Sequence, residues 1–137
     1  VITGKYKKLY DILSEKTYKI PTKIIGWTDK MADFIKSSDL VISKGGGAIV
    51  METLSSGKPI FIPVFTPNQE KRNAKFILKN NLGFVENKIE RVKEKLDFLI
   101  DRPEKISELQ NIVSKYSKPS SSQKIAEFIN QYLYDKS

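Results

Sequence analysis

The chain contains no cysteine and no histidine. Without cysteine there is neither a disulfide nor a thiolate metal site. Without histidine, the commonest metal ligand and the commonest general base are both missing. Catalysis by these residues must therefore use carboxylates, lysines, hydroxyls or backbone dipoles, or borrow a group from elsewhere. No apolar run approaches the ~18 residues that a membrane-spanning helix needs. Internal repeats and low-complexity segments are lacking, and tryptophan occurs once, at Trp27. Acidic residues are outnumbered, 16 against 24 Lys plus Arg.

The 137 residues suffice for one domain with a real core and are too few for two. With 39% hydrophobic and 29% charged residues, the chain has the composition of a soluble globular domain and not of a disordered one. The net charge of +8 points to an anionic partner, whether nucleotide, nucleic acid or acidic membrane face, or else to a lysine-rich solvated surface. Lysine supplies most of that charge. As a point charge it reads base edges less well than arginine, which disfavours specific DNA recognition.

The stretch Leu40 to Glu52, LVISKGGGAIVME, organises the rest. Leu40 to Ile42 is a short strand, Gly45 to Gly47 follow, and a helix over Ala48 to Ser56 begins at once. A strand running through glycines into a helix gathers open N–H groups and the positive end of a helix dipole, a setting for phosphate. On its own the triple glycine is equally a tight turn, and it is neither a Walker loop nor a GxGxxG. Glu52, about two turns along the helix from Gly45, reads by itself as a solvated side chain.

Around this stretch, strands and helices alternate. Val1 to Gly4 reads as the tail of a strand ending in a turn, which implies a fragment whose upstream part is missing. Tyr6, Leu9, Tyr10 and Leu13 recur at helical spacing, and Lys23 to Gly26 is a short strand. Thr28 or Asp29 caps a helix carrying Met31, Phe34 and Ile35. Gly57 and Pro59 close the helix after the glycines, and Ile60 to Val64 is a strand. A helix spans Gln69 to Asn80, with Asn81 and Gly83 at its end, and Phe84-Val85 is a last short strand. Three helical stripes complete the chain, with a helix start at Pro103; the cleanest comprises Ile125, Phe128, Ile129, Tyr132 and Leu133. This order predicts an α/β fold with a parallel sheet covered on both faces. Ligands in such sheets sit at the carboxyl ends of strands, where Gly26 to Thr28, Ser43 to Gly47 and Thr66 to Glu70 all fall.

The run GWTDKMADFIKSSDLVISKGGGAIVMETLSSGKPIFIPVFTPNQEKRNAKF resembles the nucleotide-sugar-binding half of GT-B glycosyltransferases. It is most similar to the processive diacylglycerol glucosyltransferases and monogalactosyldiacylglycerol synthases, with the lipid II-forming N-acetylglucosaminyltransferase as a cousin. Their pattern runs G-aromatic-x-x-x-M, then a short helix, then (T/S)-K-x-G-G-x-(T)-x-x-E, then P, then P-G-Q-E-x-x-N-A-x-F, and four separated motifs agree here. The resemblance covers residues 1 to about 130. It implies the Rossmann-like C-terminal half of a GT-B fold without its first βα unit, residues 1–137 being a single truncated donor domain with a helical C-terminal part.

The resemblance also implies roles. Trp27 would lie beside uracil, in a donor-binding segment that includes Thr28 and Met31. Lys44, Gly45, Gly46, Gly47 and Ala48 would hold the diphosphate, and Glu52 would accept from the two ribose hydroxyls. Asn68, Gln69, Glu70 and Asn73 would face the sugar. The cousin has Gln at the position of Glu70. Glu there favours UDP-glucose or UDP-galactose over UDP-N-acetylglucosamine, because a carboxylate accepts from two neighbouring hydroxyls. Three positions depart from the pattern: Gly45 stands for its Pro, Ile49 for its small hydroxyl residue, and Asn68 for the Gly of PGQE.

The implied function is the UDP-sugar site of an inverting hexosyltransferase acting on a membrane lipid such as diacylglycerol. No cofactor and no metal are expected, the general base and the lipid acceptor belong to a missing domain, and the isolated chain is expected to be inactive. Lys71, Lys75 and Lys79, with Arg72 beside them, share a helix face that suits an anionic membrane surface. The expected location is cytoplasmic, peripheral on the inner membrane face, with no nucleic-acid partner. Two rival readings are a nucleotide-sugar epimerase of the same architecture and a non-catalytic nucleotide- or nucleic-acid-binding module. The first normally needs His beside its carboxylates, and the second lacks the aromatic-basic interleaving of an RNA reader.

Overall fold

The computed structural model describes residues 1–63, 70–118 and 120–134, which form two compact units, Val1–Asp33 and Phe34–Ser137. In the first unit the expected strand at Lys23 to Gly26 is reduced to one parallel bridge, Ile25 with Ile2. Ile25 N–H donates to Val1 O at 2.8 Å and Thr3 N–H to Ile25 O at 2.9 Å. On the other side of the bridge the Val1 amine donates to Lys23 O at 2.6 Å, and it is towards the carboxyl ends that the pairing has no room to lengthen. Gly4, at φ +61°, turns one chain away two residues past Ile2, and on the other chain the Trp27 loop follows Gly26 at once. Helix α1 (Lys7–Ser14) follows the Gly4 turn, and its stripe stays at the surface. Helix α2 (Met31–Ser37) begins in the first unit and ends in the second.

The second unit is built on a parallel sheet of three strands in the order β1 (Val41–Ile42), β2 (Ile60–Pro63), β3 (Gly83–Glu86). Helix α3 (Gly47–Ser55) connects the first two, and α4 (Lys71–Lys79) precedes β3. Both helices stop on left-handed residues, as the sequence predicts. Gly57 has φ +72°, with Lys58 N–H on Thr53 O, and Asn81 has φ 52°, with Leu82 N–H on Ile77 O. Three helices follow, α5 (Ile89–Asp101), α6 (Pro103–Tyr116) and α7 (Ser121–Tyr134).

Val50 and Leu54 of α3, Ile60 and Ile62 of β2, Ile77 of α4, Leu82, and Val113 of α6 form one buried cluster. Phe61 points to the other face of the strand and is also fully buried, so β2 is covered on both sides. Beside it, β3 approaches so closely that a Cβ on Gly83 would overlap the Ile60 carbonyl oxygen. Helix α7 forms where its stripe predicts it, but the stripe is not buried. Ile125, Phe128, Ile129, Tyr132 and Leu133 are 50–69% exposed, and no residue of that helix is buried. Helical period is a local property, whereas burial depends on a facing surface, and the core closes without α7.

Candidate functional site

The carboxyl end of β1 delivers the chain to Lys44, and Gly45 then passes beneath β2 and α4. Gly45 is buried, and a Cβ there would stand 3.2 Å from Glu70 Cβ and 3.4 Å from two carbons of Ile62. Only a glycine fits this passage without moving its neighbours. That accounts for one irregular position of the motif by packing. Gly46, extended at φ −63° and ψ 142°, caps α3, with its carbonyl accepting from Val50 N–H at 3.1 Å. As a glycine, Gly46 brings no side chain to cap this end, and among the described residues no side chain bonds to the first-turn donors of α3 at Gly47 and Ala48. The positive end of the helix dipole lies at the same place.

Helix α4 closes the arrangement from the other side. Asn73 Nδ2 donates to Gly45 O at 2.7 Å and lies 3.9 Å from where a Cβ of Gly47 would be. Glu70 is 7% exposed at the head of α4, its Cβ against Gly45. The structure thus brings together Gly45, Gly47, Glu70 and Asn73, which are scattered over almost thirty residues of sequence. Lys44 folds over the loop, its Cε 4.0 Å from a Cβ position on Gly46. Glu52 is exposed on α3. Asn68 and Gln69 lie outside the described residues.

In the first unit Trp27 is 62% exposed, with the ammonium of Lys5 5.9 Å from its ring centroid. Thr28 Oγ1 accepts from Lys30 N–H at 3.0 Å and shapes the turn into α2, where half-buried Met31 is the first residue. Two residues near these positions were missed by sequence reasoning. Ile62 walls the Gly45 passage, and the sequence placed it in a strand without showing what lay above it. Lys5 neighbours Trp27 across 22 residues of chain, and no local signal pairs them.

Residues 1–131 match the glycosyltransferase family 28 C-terminal domain. The chain belongs to this family. Among relatives, the family 28 domain described here is 30% identical over 120 residues to monogalactosyldiacylglycerol synthase 3, chloroplastic, of Arabidopsis thaliana, which covers 87% of this chain and 26% of that protein. It is 29% identical over 134 residues to the processive diacylglycerol beta-glucosyltransferase of Bacillus pumilus, covering 96% of this chain and 35% of the relative. The domain therefore spans about a quarter to a third of the length of these proteins. A solved structure of the glycotransferase of kitacinnamycin superposes with a TM-score of 0.52 at 16% identity, over 82% of this chain and 31% of that one. That likeness supports the fold, a parallel α/β sheet of the GT-B kind. The family 28 domain thus has the architecture and the family that its motifs predicted.

Proposed function

We propose that this domain binds the donor of an inverting glycosyltransferase that passes glucose or galactose from a UDP-sugar to a lipid hydroxyl such as that of diacylglycerol. The observation that carries the reading is the convergence of α4 on the glycine loop, through the 2.7 Å bond from Asn73 to Gly45 at the open end of α3. Two relatives named for diacylglycerol glycolipids support the substrate class. In this reading the diphosphate rests on the amides of Gly46 to Ala48, with Lys44 above it, and Glu52 holds the ribose diol. Trp27 borders the uracil with Thr28 and Met31, and Asn68, Gln69 and Glu70 face the hexose.

The lipid oxygen attacks the anomeric carbon as the bond from that carbon to the β-phosphate oxygen breaks. UDP leaves with the electron pair, and the hydroxyl proton passes to a base outside residues 1–137. The loop amides, the α3 dipole and Lys44 offset the charge that develops on UDP without calling on a metal. Peripheral attachment to the inner face of the cytoplasmic membrane belongs to the same reading. Among the described residues, no helix is long and apolar enough to cross a membrane.

Titration of UDP by calorimetry, with Trp27 fluorescence as a second signal, tests the donor site. Glu52→Ala removes a charged acceptor worth ~1.5–3 kcal/mol, so affinity is expected to fall about 10- to 150-fold. Because Glu52 is exposed, the melting temperature is expected to stay put. Equal UDP affinity in both proteins, or tight salt-sensitive RNA binding with no UDP effect, would overturn the reading.

A further inference from the structure

Helix α4 has a second face that the donor site does not use. At 100° per residue, Lys71, Arg72, Lys75 and Lys79 fall within about 100° of one another, opposite the buried Ile77. All four cations are exposed, and α4 contains no acidic residue. The ion pairs among the described residues join Lys7 to Asp11, Lys93 to Asp97 and Lys105 to Glu108, so none neutralises this face. Four like charges along roughly 12 Å of helix repel one another, and an anionic surface relieves that repulsion.

The face is also amphiphilic. Leu78 is 54% exposed on one flank and Phe76 37% on the other. Between α4 and the end of β3 lies a groove of about 230 Å³, with Ala74, Leu78 and Val85 as its floor and Lys71, Lys75 and Asn87 at its rim. The groove is smaller than the ~300 Å³ at which drug-sized ligand sites begin. Its apolar floor under an ammonium rim suits a phosphoglycerol head with the first methylenes of its chains, and among the described residues it offers no aromatic platform for a base.

We propose that this face of α4 docks on a bilayer of anionic phospholipid, with one headgroup phosphate between Lys71 and Lys75 in the groove. The choice of a bilayer rests on the glycolipid reading above. The same helix would then carry the membrane contact on its outer face and, through Asn73 and Glu70, the donor loop on its inner face.

Sedimentation with vesicles of phosphatidylglycerol and phosphatidylcholine, against vesicles of phosphatidylcholine alone, tests the proposal. The chain is expected to bind the anionic vesicles only. Each cation at such a surface is worth about fivefold in partitioning, so replacing Lys71, Arg72, Lys75 and Lys79 together by Gln is expected to weaken binding at least fiftyfold. A control with Lys16, Lys19, Lys115 and Lys118 replaced by Gln carries the same net charge and is expected to stay within about threefold of the parent. Leu78→Asn, which changes no charge, is expected to weaken binding about threefold or more. Both fourfold variants change only exposed positions and are expected to keep the parent melting temperature and UDP affinity, so loss of the membrane contact is read separately from loss of the donor site. Equal weakening in the two fourfold variants, no binding to anionic vesicles, or RNA binding through the α4 cations without vesicle binding would each overturn it.

Discussion

Replacing Asn73 separates two roles that its position allows. The resemblance makes it a sugar contact, whereas the structure commits one of its amide protons to Gly45 O at 2.7 Å. A hydrogen bond of this kind is worth ~0.5–1.5 kcal/mol net, and a buried carbonyl left without a partner costs ~1–3 kcal/mol. Gly45 is buried and Asn73 half-buried, so Asn73→Ala is expected to cost about 1–2 kcal/mol. That corresponds to a fall in melting temperature of roughly 3–8 °C for a chain of this size. The loop it held should then bind UDP about 2- to 10-fold more weakly. Asn73→Asp sharpens the test. An ionised carboxylate only accepts, and it would face the Gly45 carbonyl with nothing to donate. Asp is therefore expected to be less stable than Ala despite its closer shape, whereas a residue that merely accepted from sugar hydroxyls would tolerate Asp. Thermal melts of the three proteins and calorimetric titrations with UDP and with UDP-sugar give the answer. If Asn73→Ala melts with the parent and weakens UDP-sugar while sparing UDP, Asn73 reads the sugar and the loop-holding argument is wrong.

Two glycines bear on the same framework. Gly45→Ala must fit a methyl group 3.2 Å from Glu70 Cβ and 3.4 Å from Ile62, so urea unfolding is expected to show a loss of ~1–3 kcal/mol, and an unchanged midpoint would contradict the packing. Gly83→Ala drives its Cβ into the Ile60 carbonyl and forces β2 from β3, a loss on the order of 4 kcal/mol or more. A cooperative melt near the parent temperature would show that the register of the sheet is not as described.

What was legible in the sequence was mostly local. The apolar run at Leu40, the glycines and the helical pattern from Ala48 specified strand, loop and helix within a residue or two, because each signal acts over a turn or a pleat. The stops at Gly57 and Asn81 were equally readable, since a left-handed residue leaves a composition signature. Contacts between distant residues were not. Nothing in the sequence aims the Asn73 amide at a carbonyl 28 residues earlier, and nothing in the α7 stripe says whether a surface awaits it. Lys23 to Gly26 had strand composition, but its pairing stops on the carboxyl side, where both chains turn. The motif resemblance bridged part of this gap by naming residues that belong together, though not which way their donors point.

Ile62 and Gly45 touch across the boundary between core and site. The side chain that helps fill the hydrophobic cluster is also the wall that sets the height of the glycine loop, with no flexible layer between them. On the proposed donor reading, a change in the core of this domain is therefore not silent for ligand binding. On the same reading, exchanging Ile62 for a residue of another shape is expected to change donor affinity along with folding, and a residue larger than glycine at position 45 requires a compensating loss of volume on β2. The demands of a stable fold and of the proposed donor then fall on the same few atoms.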